Sequence, residues 1–234
     1  MKSVLIFRFS STEGPGYLEI FLNDRSIKWQ LIQLDAGQPV LEFNEGIAAI
    51  ALMGGPMSVN DKLSWIDPIL NVIKEAVAED IPVIGHCLGG QLLAKALGAE
   101  VKDNTYKEIG WGEVKVEDAA QEWFGGAEQF DAFHWHYQTF SIPDGATHVM
   151  NSSYCKNQAF VFNDRHIGFQ CHIEMTEKMV RQWCDDGEKE LIEIPAVASV
   201  QTRQKILLKL DSRIAKLNNI AAAVYQRWLL HAKF

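Results

Sequence analysis

The sequence predicts an α/β protein: a mostly parallel sheet flanked by helices, with a small antiparallel extension. Three observations carry this. Short apolar, β-rich runs alternate with helically spaced apolar residues through the N-terminal half, the pattern of strands buried on both faces. Glycine-rich turns close two of those runs, at Gly54-Gly55-Pro56 and around Cys87. Beyond about Gly110, short strands separated by turns take over.

The elements follow in order. Val4–Phe9 is the first β-rich run, and the segment Met1 to Phe9 is too short, and too soon interrupted by Arg8, for a secretory leader. Glu13-Gly-Pro-Gly16 is a turn, and Tyr17–Leu22 starts a helix. Ile27–Leu34 alternates with period two, as a strand does. Ala48–Met53 is a short buried strand ending at Gly54. Ile66, Ile69, Leu70, Ile73 and Val77 give Ile66–Val77 a helical apolar face. Ile81–Cys87 reads as a buried strand and Gln91–Leu97 as a helix. This alternation is flavodoxin-like, and ligands in such sheets sit at the carboxyl ends of strands. Gly110–Val116, Ala146–Asn151, Ala159–Asn163 and His166–Cys171 read as short antiparallel strands, with a turn at Asn163-Asp164. Met175–Cys184 returns to helix, which Asp185-Asp186-Gly187 ends. We expect one domain over residues 1–187 and a helical extension over 188–234 packed upon it. Pro195 marks a break there, and Leu207, Ile214, Leu217, Ala221, Tyr225 and Trp228 trace one long amphipathic helix.

Hydrophobic residues at 47% and charged residues at 22% suit a globular protein with a sizeable core. A net charge of −8 argues against a nucleic-acid partner. No apolar run approaches the roughly 18 residues of a membrane span. The four cysteines (Cys87, Cys155, Cys171, Cys184) show no CxxC pair, so free thiols in a reducing cytoplasm are expected.

The chemistry centres on Gly85-His-Cys-Leu-Gly-Gly-Gln91. A cysteine between two glycines, on the turn from a buried strand into a helix, is the thiol counterpart of the Gly-x-Ser-x-Gly elbow. Gly85 and Gly89 let neighbouring backbone approach a strained residue closely. The helix N-terminus favours negative charge on the sulfur. A base and an orienter are then needed, and Gln170-Cys-His-Ile-Glu174 supplies both. His172 and Glu174 are two apart near a strand end, so they share a face. A carboxylate beside an imidazole fixes its tautomer and supports its charged form. The Leu88 and Gly55 N–H groups are candidates for an oxyanion hole.

Gly-His-Cys-Leu-Gly-Gly-Gln at 85–91, Gly-Gly-Pro-Met-Ser at 54–58 and Gln-Cys-His-Ile-Glu at 170–174 together resemble the class I, triad-type glutamine amidotransferases, including the glutaminase domain of GMP synthase. Glu13-Gly-Pro-Gly16, Lys107-Glu-Ile-Gly-Trp111, His134-Trp-His136 and the Tyr-x-x-Trp-Leu pattern from Tyr225 to Leu229 resemble free-standing members more closely. The resemblance spans nearly the whole chain. It implies hydrolysis of a γ-glutamyl amide through a thioester, releasing ammonia or an amine. In that reading Cys87 is the nucleophile, His172 the general base and acid, and Glu174 its orienter. Gly55 and Leu88 form the oxyanion hole, while Gly54, Gln91, Trp135, Tyr137 and Gln138 bind the substrate. It also implies either a synthetase partner receiving ammonia or a self-sufficient hydrolase of glutathione-like or γ-glutamyl-amine compounds. Where relatives commonly carry Gly-Asp or Gly-Glu after the second histidine, this chain has Tyr137-Gln138, which narrows or reshapes the pocket.

Blander roles suit other residues. His86 should point away from Cys87 and pack. His134-x-His136 has strand spacing used by metal sites, but no third ligand follows in sequence, and no metal or other cofactor is expected. Cys155, Cys171 and Cys184 read as core. Trp111 and Trp135 are placed near the substrate. Arg203, Lys205, Lys209, Arg213 and Lys216 form the solvated face of the last helix. A non-catalytic binding module on the same fold is the reading from another functional class.

Overall fold

Ile47–Leu52 (β3) and Val83–His86 (β4) are buried at every position. Strands without a wet face need cover on both sides, and that dictates the layering. The computed structural model describes residues 2–194 and 197–234. The other strands are β1 (Ser3–Arg8), β2 (Trp29–Gln33), β5 (Val101–Val116), β6 (Gln129–Phe140), β7 (Thr147–Ser152), β8 (Ala159–Phe162) and β9 (His166–Phe169). All lie in one sheet, ordered β2-β1-β3-β4-β9-β8-β7-β5-β6. The first five in that order run parallel, and the remaining pairings are antiparallel.

The helices are α1 (Tyr17–Asp24), α2 (Ile66–Ala78), α3 (Leu88–Ala96), α4 (Glu177–Asp186), α5 (Glu188–Glu193), α6 (Arg203–Leu207) and α7 (Leu210–Trp228). They divide the core in two. Ile69 and Ile73 of α2 and Leu92 of α3 pack with Leu5, Phe7 and Ile50 on one face. Leu18 and Phe21 of α1, Val180 of α4, and Leu217, Val224 and Trp228 of α7 pack with Val4, Ile6 and Ile84 on the other. Each such side chain, fully withdrawn from water, contributes about 1.5–3 kcal/mol. The C-terminal residues thus complete the core on one face: Tyr225 meets Phe21 edge-on with centroids 5.4 Å apart.

Several expectations are refined. The β5 strand begins at Val101 rather than Gly110, because its first half is largely exposed and polar and lacks an apolar signature. Its partner β6 extends well beyond the His134-x-His136 pair. The single long C-terminal helix is instead two, because Lys209 adopts a left-handed backbone with φ 55°. Strand β9 stops at Phe169, so His172 and Glu174 lie past its end; His172 pairs instead with Phe133 of β6, its N–H donating to the Phe133 carbonyl at 2.8 Å. Asn163 and Asp164 both have positive φ (51° and 50°), as a two-residue I′ turn between β8 and β9 requires. Pro195 lies outside the described residues. No described helix is long and apolar enough to cross a membrane.

Candidate active site

Cys87 caps α3 at the carboxyl end of β4 with φ 50° and ψ −107°, a conformation costly for a non-glycine residue. Its N–H is tied to the Phe169 carbonyl at 2.9 Å, and its carbonyl accepts the Gln91 N–H at 2.9 Å. Two glycines make the turn possible. A Cβ at Gly85 would collide with Gly89 backbone, and one at Gly89 with the Leu52 carbonyl. The elbow therefore sits close against β3 and β4.

His172 and Glu174 stand beneath it, both buried. Nδ1 of His172 lies 2.6 Å from Oε1 of Glu174. Nε2 of His172 is buried without a well-aligned hydrogen bond. Burial opposes charge on this ring, but the carboxylate of Glu174, and after it the sulfur of Cys87, outweigh burial and hold the His172 pKa well above its ordinary value. Burial would likewise raise the Glu174 pKa, yet His172 and then His86 bring it down to about 2.

A cleft of about 640 Å³ opens over the sulfur, and Gly55, Cys87, Gln91, Trp135, Tyr137 and Gln138 all line it. Gly54 lies behind, against His172, and Leu88 is buried at the first position of α3. Among the described residues, neither the Gly55 nor the Leu88 N–H donates to a protein backbone acceptor. Gln91 holds Gln170, its Nε2 donating to Oε1 at 3.1 Å, and Gln170 in turn donates to the Cys87 sulfur at 3.6 Å. Tyr137 and Trp135 close the far wall. The Tyr137 hydroxyl donates to Glu190 of α5, and Trp135 Nε1 donates to the same carboxylate at 3.1 Å. Burial, then that carboxylate, push the Tyr137 pKa upward. Gln138 accepts from Ser58 Oγ at 2.9 Å, joining β6 to the Gly-Gly-Pro-Met-Ser loop.

Some residues fall elsewhere than expected. Trp111 does not line the cleft: its Nε1 donates to the Ile206 carbonyl at 3.0 Å, and its ring packs edge-on to Phe133. Its apolar bulk is needed under the C-terminal segment. Trp183 takes the place expected for it, set edge-on to His172 with centroids 4.8 Å apart. Nothing in its helical spacing marks it out. Gln170 and Glu13 are further site residues that spacing does not single out, although both stand inside quoted motifs. His86 points away from the sulfur, as expected, yet reaches Glu174, its Nδ1 3.3 Å from Oε2. Arg203 and Arg213 are not simply solvated; they sit beside Asp185 and Asp131. The four cysteines are unpaired and buried.

Glu108 is the partner of His134 and His136 that sequence spacing does not reveal, because it comes from the adjacent strand β5. The three ligand-type atoms lie within 4.8 Å of one another and could reach one cation. Glu108, however, already accepts from Ser152 Oγ at 2.8 Å and Gln158 Nε2 at 2.7 Å, and lies 3.1 Å from His136 Nε2. A fully engaged carboxylate of this kind fastens β5 to β6 behind the cleft wall.

A strained cysteine on a strand-to-helix elbow, backed by a buried histidine and carboxylate, defines an α/β protein of the cysteine-triad class. The profile of the family "Glutamine amidotransferase class-I" matches residues 19–182, and the chain belongs to that family. It is 36% identical over 170 residues to a glutamine-hydrolyzing GMP synthase subunit of Sulfurisphaera tokodaii, covering 70% of this chain and 88% of that one. It is 29% identical over 193 residues to YfeJ of Salmonella typhimurium, named as glutamine amidotransferase-like, covering 77% and 79%. A crystal structure of a glutamine amido transferase from Methylobacillus flagellatus superposes with a TM-score of 0.96 at 48% identity, covering 100% of this chain and 96% of the other.

Proposed function

We propose that the protein hydrolyses a γ-glutamyl amide bond, with Cys87 as nucleophile, His172 as general base and acid, and Glu174 as its orienter. One observation carries this reading: Glu174 holds Nδ1 of His172 at 2.6 Å, while Nε2 is left unbonded in the environment of the Cys87 sulfur. His172 takes the thiol proton as Cys87 attacks the γ-carbonyl. The oxyanion then meets the N–H groups of Gly55 and Leu88, which no protein backbone acceptor among the described residues uses. C–N cleavage leaves a thioester on Cys87 and sends the His172 proton to the departing nitrogen. A water molecule, deprotonated by His172, releases glutamate. Gln91 and the segment Trp135 to Gln138 line the cleft where the glutamyl head group must lie. Four unpaired thiols fit a reducing compartment such as the cytoplasm.

Two versions of this activity differ in the leaving group. Relatives named as glutamine-hydrolyzing GMP synthase subunits favour a glutaminase that passes ammonia to a synthetase partner. The Tyr137–Glu190 contact across the far wall favours a self-sufficient hydrolase of γ-glutamyl peptides or amines, since an aromatic ring reshapes that wall. Glutamate release from glutamine, glutathione and γ-glutamyl amines, with Cys87→Ala as control, separates them. Fast turnover of glutamine supports the first and preference for the others the second. Turnover that survives Cys87→Ala overturns both, and a fold that binds these compounds without cleaving them is a binding module.

A further inference from the structure

Glu13 lines the cleft, and the triad mechanism leaves it without a task. It stands on the loop after β1, in the turn Glu13-Gly-Pro-Gly16. Gly16 has its own reason to be there: its φ is +54°, and a Cβ would strike the Glu174 carbonyl. The Glu13 side chain, by contrast, makes no hydrogen bond or ion pair among the described residues. It faces the same cavity as Cys87. It also flanks the general base: a side chain at Gly54 would overlap Oε2 of Glu13 and press on Cε1 of His172 at 3.0 Å. Gly54 is thus the spacer that lets this carboxyl lie beside the imidazole.

A carboxyl withdrawn from water without a partner is costly unless a function retains it. Its surroundings indicate which ligand it serves. Among the described residues the cleft is lined by Glu13, Asp61, Asp103, Asp186 and Glu190 and by no lysine or arginine. Such a lining repels an anion and draws a cation outward. Burial raises the Glu13 pKa to about 7, with the His172 charge acting against this and the Glu174 charge adding to it. Both protonation states are therefore accessible near neutrality.

Resting on the hydrolase reading above, we propose that Glu13 receives the leaving amine. Its carboxyl protonates the amine freed by C–N cleavage and holds the ammonium that forms, which suits the site to γ-glutamyl amides of ammonia or a basic alkylamine, not of a weakly basic arylamine. The proton balance closes. The imidazolium of His172 gives one proton to the departing nitrogen, producing a neutral amine and the thioester. Glu13 gives a second, producing an ammonium ion paired with its carboxylate. That charge prevents the amine from attacking the thioester in reverse. After hydrolysis the newly formed glutamic acid returns a proton to Glu13 and leaves as the carboxylate.

The test compares Glu13→Gln with the wild type on glutamine, γ-glutamyl methylamide and γ-glutamyl p-nitroanilide, whose amine is too weakly basic to be trapped as a cation. We expect kcat/KM on the first two to fall at least tenfold further than on the anilide, and Glu13→Asp to recover part of that loss. Equal losses on all three substrates, or none, overturn the proposal. Should Glu13→Gln unfold, Glu13→Asp is read alone: a drop greater on the alkyl amides supports the role, and a uniform drop contradicts it. A wild type inert on all three removes the hydrolase reading and this role with it.

Discussion

His86 sets its Nδ1 3.3 Å from Oε2 of Glu174, on the other side of the carboxylate from His172, whose Nδ1 lies 2.6 Å from Oε1. One buried carboxylate therefore stands between two imidazoles in different charge states. Burial lowers the His86 pKa to about 4, with Glu174 acting against this, so the ring is neutral. It is stacked on Phe169 and met edge-on by Tyr225 of α7. The C-terminal helix thus reaches the triad through His86, which accounts for an aromatic residue at 225.

His86→Phe keeps the ring stacking but removes the nitrogen beside Glu174. With one polar partner lost from a buried carboxylate, at about 1–3 kcal/mol, kcat should fall roughly tenfold or more. KM should change little, because His86 does not line the cleft. Steady-state kinetics on any turned-over γ-glutamyl amide checks the split.

Glu190 is the clasp between α5 and the cleft wall, taking both Tyr137 and Trp135. Glu190→Gln weakens that clasp. At about 0.5–1.5 kcal/mol for a hydrogen bond, KM should rise roughly three- to tenfold with kcat nearly unchanged. Limited proteolysis should also cut the α4–α5 segment faster in the variant.

The fold should weaken in mild acid. Burial lowers the pKa of His86, His134 and His166 to about 4. Above pH 6.5 these rings are neutral both folded and unfolded. Between pH 6.5 and about 4 the unfolded chain binds protons that the fold refuses, and stability falls as pH falls. His172 works in the other direction: its contribution is full below pH 6.5 and is lost only as pH rises through its elevated folded value. Urea midpoints measured from pH 7 to pH 4 should decline, and His166→Phe, distant from the triad, should make the decline shallower by on the order of 1–3 kcal/mol.

Glu13 has the opposite sign to those histidines. Its folded pKa of about 7 exceeds the ordinary carboxyl value, so ionising it costs stability as pH rises from about 4.5 to 7. Glu13→Gln should therefore be more stable than wild type at pH 8 by about 1–3 kcal/mol and no more stable at pH 4. A gain in stability with a loss of turnover is the pattern of a residue kept for function.

What the sequence disclosed follows from what leaves a local mark. Ile47–Leu52 and Ile66–Ala78 are legible because full burial and a 3.6-residue period both write themselves into residue type. Cys87 and His172–Glu174 are legible because an elbow demands glycine and a base demands an orienter. The start of β5 is not, because an exposed polar strand carries no apolar period. Glu108, Trp183, Glu13 and Glu190 escape notice for a different reason. Each is brought to its partner by tertiary packing, across β5–β6, across α4, or through the loop after β1, and no spacing along the chain encodes such a meeting.

The most direct measurement is covalent labelling with a chloroketone analogue of glutamine, followed by intact mass and peptide mapping. All four cysteines are buried, so burial alone does not distinguish them. The account predicts one equivalent bound, on Cys87, with glutamine protecting and His172→Ala slowing the reaction strongly. Label on Cys155, Cys171 or Cys184, or a Cys87 that stays unlabelled in the folded protein, would contradict it.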